Sequence, residues 1–179
     1  MSELDSRDRL RFEQLVLPHV DAAFNLARWL LRGRDEAEDV AQGAFLRACR
    51  FFQGFQGGDA RAWLLQIVRN TCYAWLEKNR PLEQSVEFDE ELYLWIDCSP
   101  ETLAIAGDDR ERLTRALDAL PTRSREVIVL RELEGCSYKE IAAIASIPIG
   151  TVMSSLSRAR RQLGLAMDAA PRKEVLREM

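Results

Sequence analysis

The chain has 179 residues, 47% of them hydrophobic and 30% charged, with nine Gly and six Pro. That length allows one ordinary domain or two small ones, and the composition excludes collagen-like, mucin-like and fully disordered chains. The formal net charge of −4 hides a segregation along the chain. Residues 1–80 carry 12 basic and 11 acidic groups, residues 81–106 carry 7 acidic and no basic groups, and residues 107–179 carry 13 basic and 11 acidic. No apolar run approaches the ~18 residues that a membrane span needs. Met1 to Arg11 is charged rather than apolar, so neither a secretory leader nor membrane insertion is expected, and a cytoplasmic location follows by default.

From Leu10 to Leu31 apolar residues recur at threes and fours (Phe12, Leu15, Val16, Val20, Ala23, Phe24, Ala27, Leu30, Leu31), which is helical periodicity. Pro18 predicts a break or a fresh first turn, and Gly33 a stop. A second helix is expected from Asp35. Its first turns are loaded with Asp35, Glu36, Glu38 and Asp39, where the helix dipole favours acids, and Val40, Ala44, Phe45 and Ala48 supply an inner face. Gly54, Gly57 and Gly58 end it. A third helix, about Asp59 to Lys78, is expected to bury Leu64, Ile67, Val68, Thr71 and Leu76. Residues 81–106 hold Pro81 and Pro100, lack a long helical period and read as an acidic linker between two helical domains. Such a segment is either a solvated, self-repelling spacer or a negative strand that lies in a basic channel of a partner.

Four helices are expected after the linker: Asp108 to Leu120, Thr122 to Glu134, Ser137 to Ala145, and Pro148 to about Met167. Ser137 and Glu140 have the S-x-x-E spacing of a capping box. The short interval Ala145-Ser146-Ile147-Pro148 then makes the last two helices a helix-turn-helix. Val152, Leu156, Ala159 and Leu163 would face inward, leaving Met153, Ser154, Ser155, Ser157, Arg158 and Arg161 outward with Arg160 at the flank. Small polar side chains let a backbone approach base edges, while arginines reach guanine or clamp phosphates. The third helix offers another kind of surface, with Arg61, Trp63, Gln66, Arg69, Asn70, Tyr73, Trp75, Lys78 and Arg80 spread around it. Interleaved aromatics and bases suit single-stranded DNA, although Trp and Tyr at helical spacing equally suit a core.

Enzymatic chemistry finds no foothold. Cys49, Cys72, Cys98 and Cys136 include no C-x-x-C pair, and His19 is the single histidine. No metal centre or cofactor is expected, and the thiols read as small packing residues, with redox sensing the alternative. A P-loop, a GxGxxG turn and an HExxH helix are all missing from the sequence. The expected fold is all-α: two small helical domains, residues 10–80 and 107–168, joined by the linker 81–106.

Three stretches taken in order resemble one family: RDEAEDVAQGAFLRACRFFQGF at 34–55, ARAWLLQIVRNTCYAWLEKNR at 60–80, and LDALPTRSREVIVLRELEGCSYKEIAAIASIPIGTVMSSLSRARRQL at 117–163. Together they resemble a bacterial RNA polymerase sigma factor of the compact extracytoplasmic-function type, whose first domain is the region 2 helical bundle and whose second is the region 4 helix-turn-helix. The resemblance implies a promoter-specificity subunit under anti-sigma control, often in stress responses, that binds core polymerase. It implies docking on the polymerase clamp through Asp35, Glu38, Asp39 and Gln42. It assigns the melted minus-10 strand to Phe55, Arg61, Trp63, Ile67, Arg69, Asn70 and Tyr73. Duplex minus-35 DNA would meet Ser137, Thr151, Met153, Ser154, Ser155, Ser157, Arg158 and Arg161, and the acidic linker would thread the polymerase cleft. The sequence departs from the family where Met153 and Ser155 stand at commonly basic positions, and where Gly43 follows Gln42. Met153 and Ser155 leave open a sigma-like decoy that engages an anti-sigma protein, and the helix-turn-helix, common to many regulators, leaves open a stand-alone helix-turn-helix regulator with the N-terminal helices as a dimer or effector domain.

Overall fold

A computed structural model describes residues 6–79 and 107–169; the acidic linker lies outside the described residues. Eight α-helices occur among them, with no strand: α1 (Ser6–Leu15), α2 (Val20–Leu31), α3 (Arg34–Phe51), α4 (Ala60–Asn79), α5 (Gly107–Ala119), α6 (Thr122–Ile128), α7 (Tyr138–Ala145) and α8 (Ile149–Ala169). Among these residues no single helix is long and apolar enough to cross a membrane.

The break expected at Pro18 is a 3-10 turn, Leu17–His19, with Pro18 in its first positions. Proline donates no backbone hydrogen bond and is tolerated there. The stop expected at Gly33 falls one residue earlier. Arg32 takes the left-handed conformation (φ 61°) and its N–H donates to the Arg28 carbonyl at 3.1 Å, while Gly33 is extended and caps α3. On α3 the buried residues are Ala37, Val40, Ala41, Ala44 and Ala48. This near-continuous alanine seam lets α3 pack closely between α2 and α4. Phe12, Phe52, Phe55 and Trp63 close one end of the bundle, their ring centroids 5.0 to 6.2 Å apart. Gly57 and Gly58 adopt positive φ (99° and 102°), a conformation costly for other residues. The expected start of α4 at Asp59 is its cap: the carboxylate accepts from the Ala62 N–H at 3.0 Å.

In the second domain the helix expected over 122–134 is interrupted. After Ile128 the chain widens into a π turn, Val129–Leu133, and Gly135 at φ 65° ends the segment. The Cys136 N–H reaches back to the Leu130 carbonyl at 2.8 Å. The capping box is complete: the Glu140 N–H donates to Ser137 Oγ (3.2 Å) and the Ser137 N–H to Glu140 Oε2 (2.7 Å). Ser146, at φ 55°, closes α7, and α8 leaves at a 99° bend, within the range for a helix-turn-helix. Val152, Leu156 and Ala159 are buried, with Leu163 partly so. The two domains touch, α4 lying against α7 and α2 against α6.

Candidate nucleic-acid interface

The exposed edge of α8 is narrower than the sequence suggests. Over its first three turns the residues that face fully outward are Ile149, Gly150, Met153 (54% exposed) and Ser157, and Arg160, Arg161, Gly164 and Leu165 follow them. Ser154 is half-buried and its hydroxyl donates to the Thr151 carbonyl at 3.1 Å. Ser155, also half-buried, turns its Oγ inward to a buried position without a hydrogen-bond partner. The expectation that both serines face outward is therefore corrected by helical phase. Thr151 and Arg158 are half-buried. Arg160 is held by Glu132 (2.7 Å), a shared charge that keeps the guanidinium strongly protonated against partial burial. The Ser137 side chain is committed to its capping box.

On α3, Asp35, Glu38, Asp39 and Gln42 are exposed along one stripe, opposite the alanine seam. The Arg34–Glu38 pair (3.2 Å) is solvent-exposed on both sides and so adds little stability, leaving Glu38 free to exchange partners. Leu46, 65% exposed, continues the same stripe one turn further. The sequence reading missed it, although its register, four residues beyond Gln42, was there to be read.

The α4 candidates are placed quite differently. Phe55 is buried, stacked against Phe52 and Trp63, so the aromatic grouping is a core first. Ile67 is half-buried and its carbonyl accepts from Thr71 Oγ1. The expected inner face was partly out of phase: Leu64, Val68 and Leu76 are buried, but Leu65 and Cys72 join them in place of Ile67 and Thr71. Arg69 Nε donates to Glu126 Oε1 (2.5 Å), Tyr73 OH to Glu126 Oε2 (2.6 Å), and the Arg69 guanidinium also lies 4.4 Å from the Tyr73 ring. Burial and the neighbouring Glu126 push the Tyr73 phenol far above its usual range. Arg61 donates to Glu134 Oε2 at 2.9 Å and to the Glu134 carbonyl. Asn70 is exposed, its amide oxygen accepting from Arg69 (3.2 Å). Arg61, Arg69 and Tyr73 thus lie together on one face that meets the second domain, while Asn70 remains at its rim.

The described cysteines behave as packing residues. Burial, then the charge of Glu126, pushes the Cys72 thiol up to about 12. Cys136 is pushed to about 11 chiefly by burial, with Arg61 opposing and Glu140, Glu134 and Asp59 reinforcing; burial alone raises Cys49. Thiols held in the neutral form are poor nucleophiles and poor redox sensors. Among the described residues no group of three or more His, Cys, Asp or Glu side chains could hold a metal ion.

Comparison with known proteins defines the class of a helical bundle followed by a helix-turn-helix. Residues 15–81 match the family model of Sigma-70 region 2, and residues 110–163 that of Sigma-70, region 4. The ECF RNA polymerase sigma-E factor of Escherichia coli (strain K12) is 34% identical over 166 residues, covering 87% of this chain and 86% of that protein. The RNA polymerase sigma-H factor of Pseudomonas aeruginosa is 33% identical over 169 residues, 89% and 88% of the two chains. ECF RNA polymerase sigma factor SigE of Mycolicibacterium smegmatis is 32% identical over 153 residues, and there the match spans 60% of the relative's length. Among solved structures, the sigma factor RpoE in complex with the anti-sigma factor NepR from Bartonella quintana superposes with a TM-score of 0.69 at 30% identity, covering 90% of this chain and 99% of that one. CnrH in complex with the cytosolic domain of CnrY gives 0.66 at 27%, covering 91% of both. The chain belongs to the extracytoplasmic-function sigma factors of bacterial RNA polymerase. It is a transcription initiation factor, not an enzyme.

Proposed function

We propose that the chain works in the cytoplasm as a promoter-specificity subunit with its three tasks divided among α3, α4 and α8. Asp35, Glu38, Asp39 and Gln42, with Leu46 as apolar anchor, dock on a basic surface of the core polymerase clamp. Oppositely charged rims steer such encounters and fix their register. Arg61, Arg69, Asn70 and Tyr73 receive the melted minus-10 strand, with Ile67 beside them and with Phe55 and Trp63 supporting the loop that shapes the pocket. The outward edge of α8 meets the duplex minus-35 element through Met153, Ser157 and Arg161, with Thr151, Ser154 and Arg158 at its sides. Ser137 and Ser155 act through helix position and packing. The acidic segment 81–106 threads the polymerase cleft, where its charge resembles that of nucleic acid.

The observation that carries this reading is the separation of faces on α3: a buried alanine seam on one side and an uninterrupted exposed acidic stripe with Leu46 on the other. The similar RpoE chain was solved with the anti-sigma factor NepR and CnrH with the cytosolic domain of CnrY, and the first of these supports regulation of this chain by an anti-sigma partner. Run-off transcription with purified core polymerase tests the assignment: specific transcripts are expected only when the chain is added. Silence on every promoter, with core binding intact, would favour the decoy reading.

A further inference from the structure

The leading end of α8 is neutral. No charged residue stands between Glu140 and Arg158, and what this end turns to solvent is apolar: Ile149 is 52% and Met153 54% exposed. Gly150 is exposed beside them, and Ser157 one turn beyond Met153. The neighbouring hydroxyls are turned toward the protein. Ser154 donates to the Thr151 carbonyl at 3.1 Å, and Ser155 Oγ is buried. Further along, Arg160 is held by Glu132 at 2.7 Å and Arg161 is exposed. Val152, Leu156 and Ala159 already supply the core-facing side of the helix, so Ile149 and Met153 are apolar side chains that the fold leaves unused.

In a helix-turn-helix the first residues of the second helix meet base edges in the major groove. There arginine or lysine reads guanine and asparagine or glutamine reads adenine, whereas the C5-methyl of thymine is the apolar group on offer. None of those four residue types occurs in the leading turns of α8. Ile149 and Met153 stand four residues apart, about 6 Å along the helix axis, against about 3.4 Å between successive base pairs, so they reach different base pairs. The flexible thioether of Met153 moulds to a methyl and leaves no polar group to satisfy.

We propose that the upstream element is recognised through thymine methyl groups, with Ile149 and Met153 setting the preference and Arg161 holding the phosphate backbone. This rests on the reading of α8 as the duplex minus-35 surface. Each of the two side chains favours a thymine, on either strand, at its own base pair. Because this end of the helix neutralises no phosphate, the salt dependence of binding arises from Arg161 and cations elsewhere and is separate from base choice.

The test uses the full chain with core polymerase and promoter duplexes randomised over the upstream and downstream elements. Sequencing the bound fraction gives the preferred duplex, and each of its upstream thymines is then replaced by deoxyuridine, which removes the methyl alone. In competition against the fluorescein-labelled parent duplex, affinity is expected to fall about fourfold at each of two positions, the worth of one buried CH2 group. Met153→Ala is expected to abolish the preference for thymine over uracil at one of these positions and Ile149→Ala at the other. Both side chains are more than half exposed, so both variants keep the fold. A methyl effect that survives in both variants overturns the proposal, since it then originates in the shape of the DNA. A strong upstream element with no uracil-sensitive thymine also overturns it, and leaves α8 on the duplex. A bound fraction without any upstream preference removes α8 from the duplex and the methyl reading with it.

Discussion

Gly43 stands half-buried in the middle of α3, with nothing within 4 Å of the position a Cβ would occupy. No steric need explains it. Gly43→Ala is therefore expected to stabilise the fold by about 1 kcal/mol through helix propensity and a less flexible unfolded chain. Thermal denaturation would show this as a higher Tm. Ser137 gives the opposite expectation. It satisfies a backbone donor at the start of α7, and Ser137→Ala should cost about 1 kcal/mol, seen as a lower midpoint in urea. Cys72 and Cys136 make stability fall in alkali. Their folded values of about 12 and about 11 lie above the ordinary 9.0. Their burial costs nothing below that ordinary value, and stability is lost as pH rises from there toward the folded values. A pH series of urea midpoints should drop over that window, and less steeply in a variant carrying Cys72→Ala. The packing reading of these thiols was legible because no metal-ligand spacing or second histidine accompanies them. What lies beside each of them was not, since Glu126 is 54 residues from Cys72 in the chain and no local pattern links them.

At the scale of elements, the punctuation residues carried most of the information. Pro18, the Ser137–Glu140 pair and the interval before α8 each mark a real boundary, because each acts through a local backbone requirement. Phase was harder. On α4 the apolar residues nearly encircle the helix, and both of its long faces are covered, one by α3 and one by α7. Periodicity alone could not choose Leu65 and Cys72 over Ile67 and Thr71. On α3 Val40, Ala44 and Ala48 of the expected inner face are buried, whereas the stripe of Asp35, Glu38, Asp39 and Gln42 came from the family resemblance and not from phase. Asp35→Lys with Asp39→Lys should abolish co-purification with core polymerase while leaving the helical dichroism intact, because both side chains are exposed. Leu46→Ala should weaken the same interaction by roughly 1 to 2 kcal/mol, as for truncation of an apolar interface anchor. Unimpaired co-purification of the double reversal would remove α3 from the docking surface.

For the whole molecule, the fold class and the order of its parts could be read from sequence, since each domain's helices are neighbours along the chain. The arrangement of the two domains could not. It depends on pairs such as Arg69–Glu126, separated by 57 residues, in which each partner looks like an ordinary surface charge until the other arrives. Nor could the sequence separate a base that holds DNA from one that holds a carboxylate, because the same guanidinium serves both.

The π turn at Val129–Leu133 works as a phase adjuster. Glu126 and Glu134 are eight positions apart, which on a regular helix would aim them about 80° away from one another. One additional residue taken up in the wide turn brings that offset down to roughly 20°, so both acids address the same neighbour. Shortening this stretch by a single residue would rotate one of them out of reach of α4 without altering any charge.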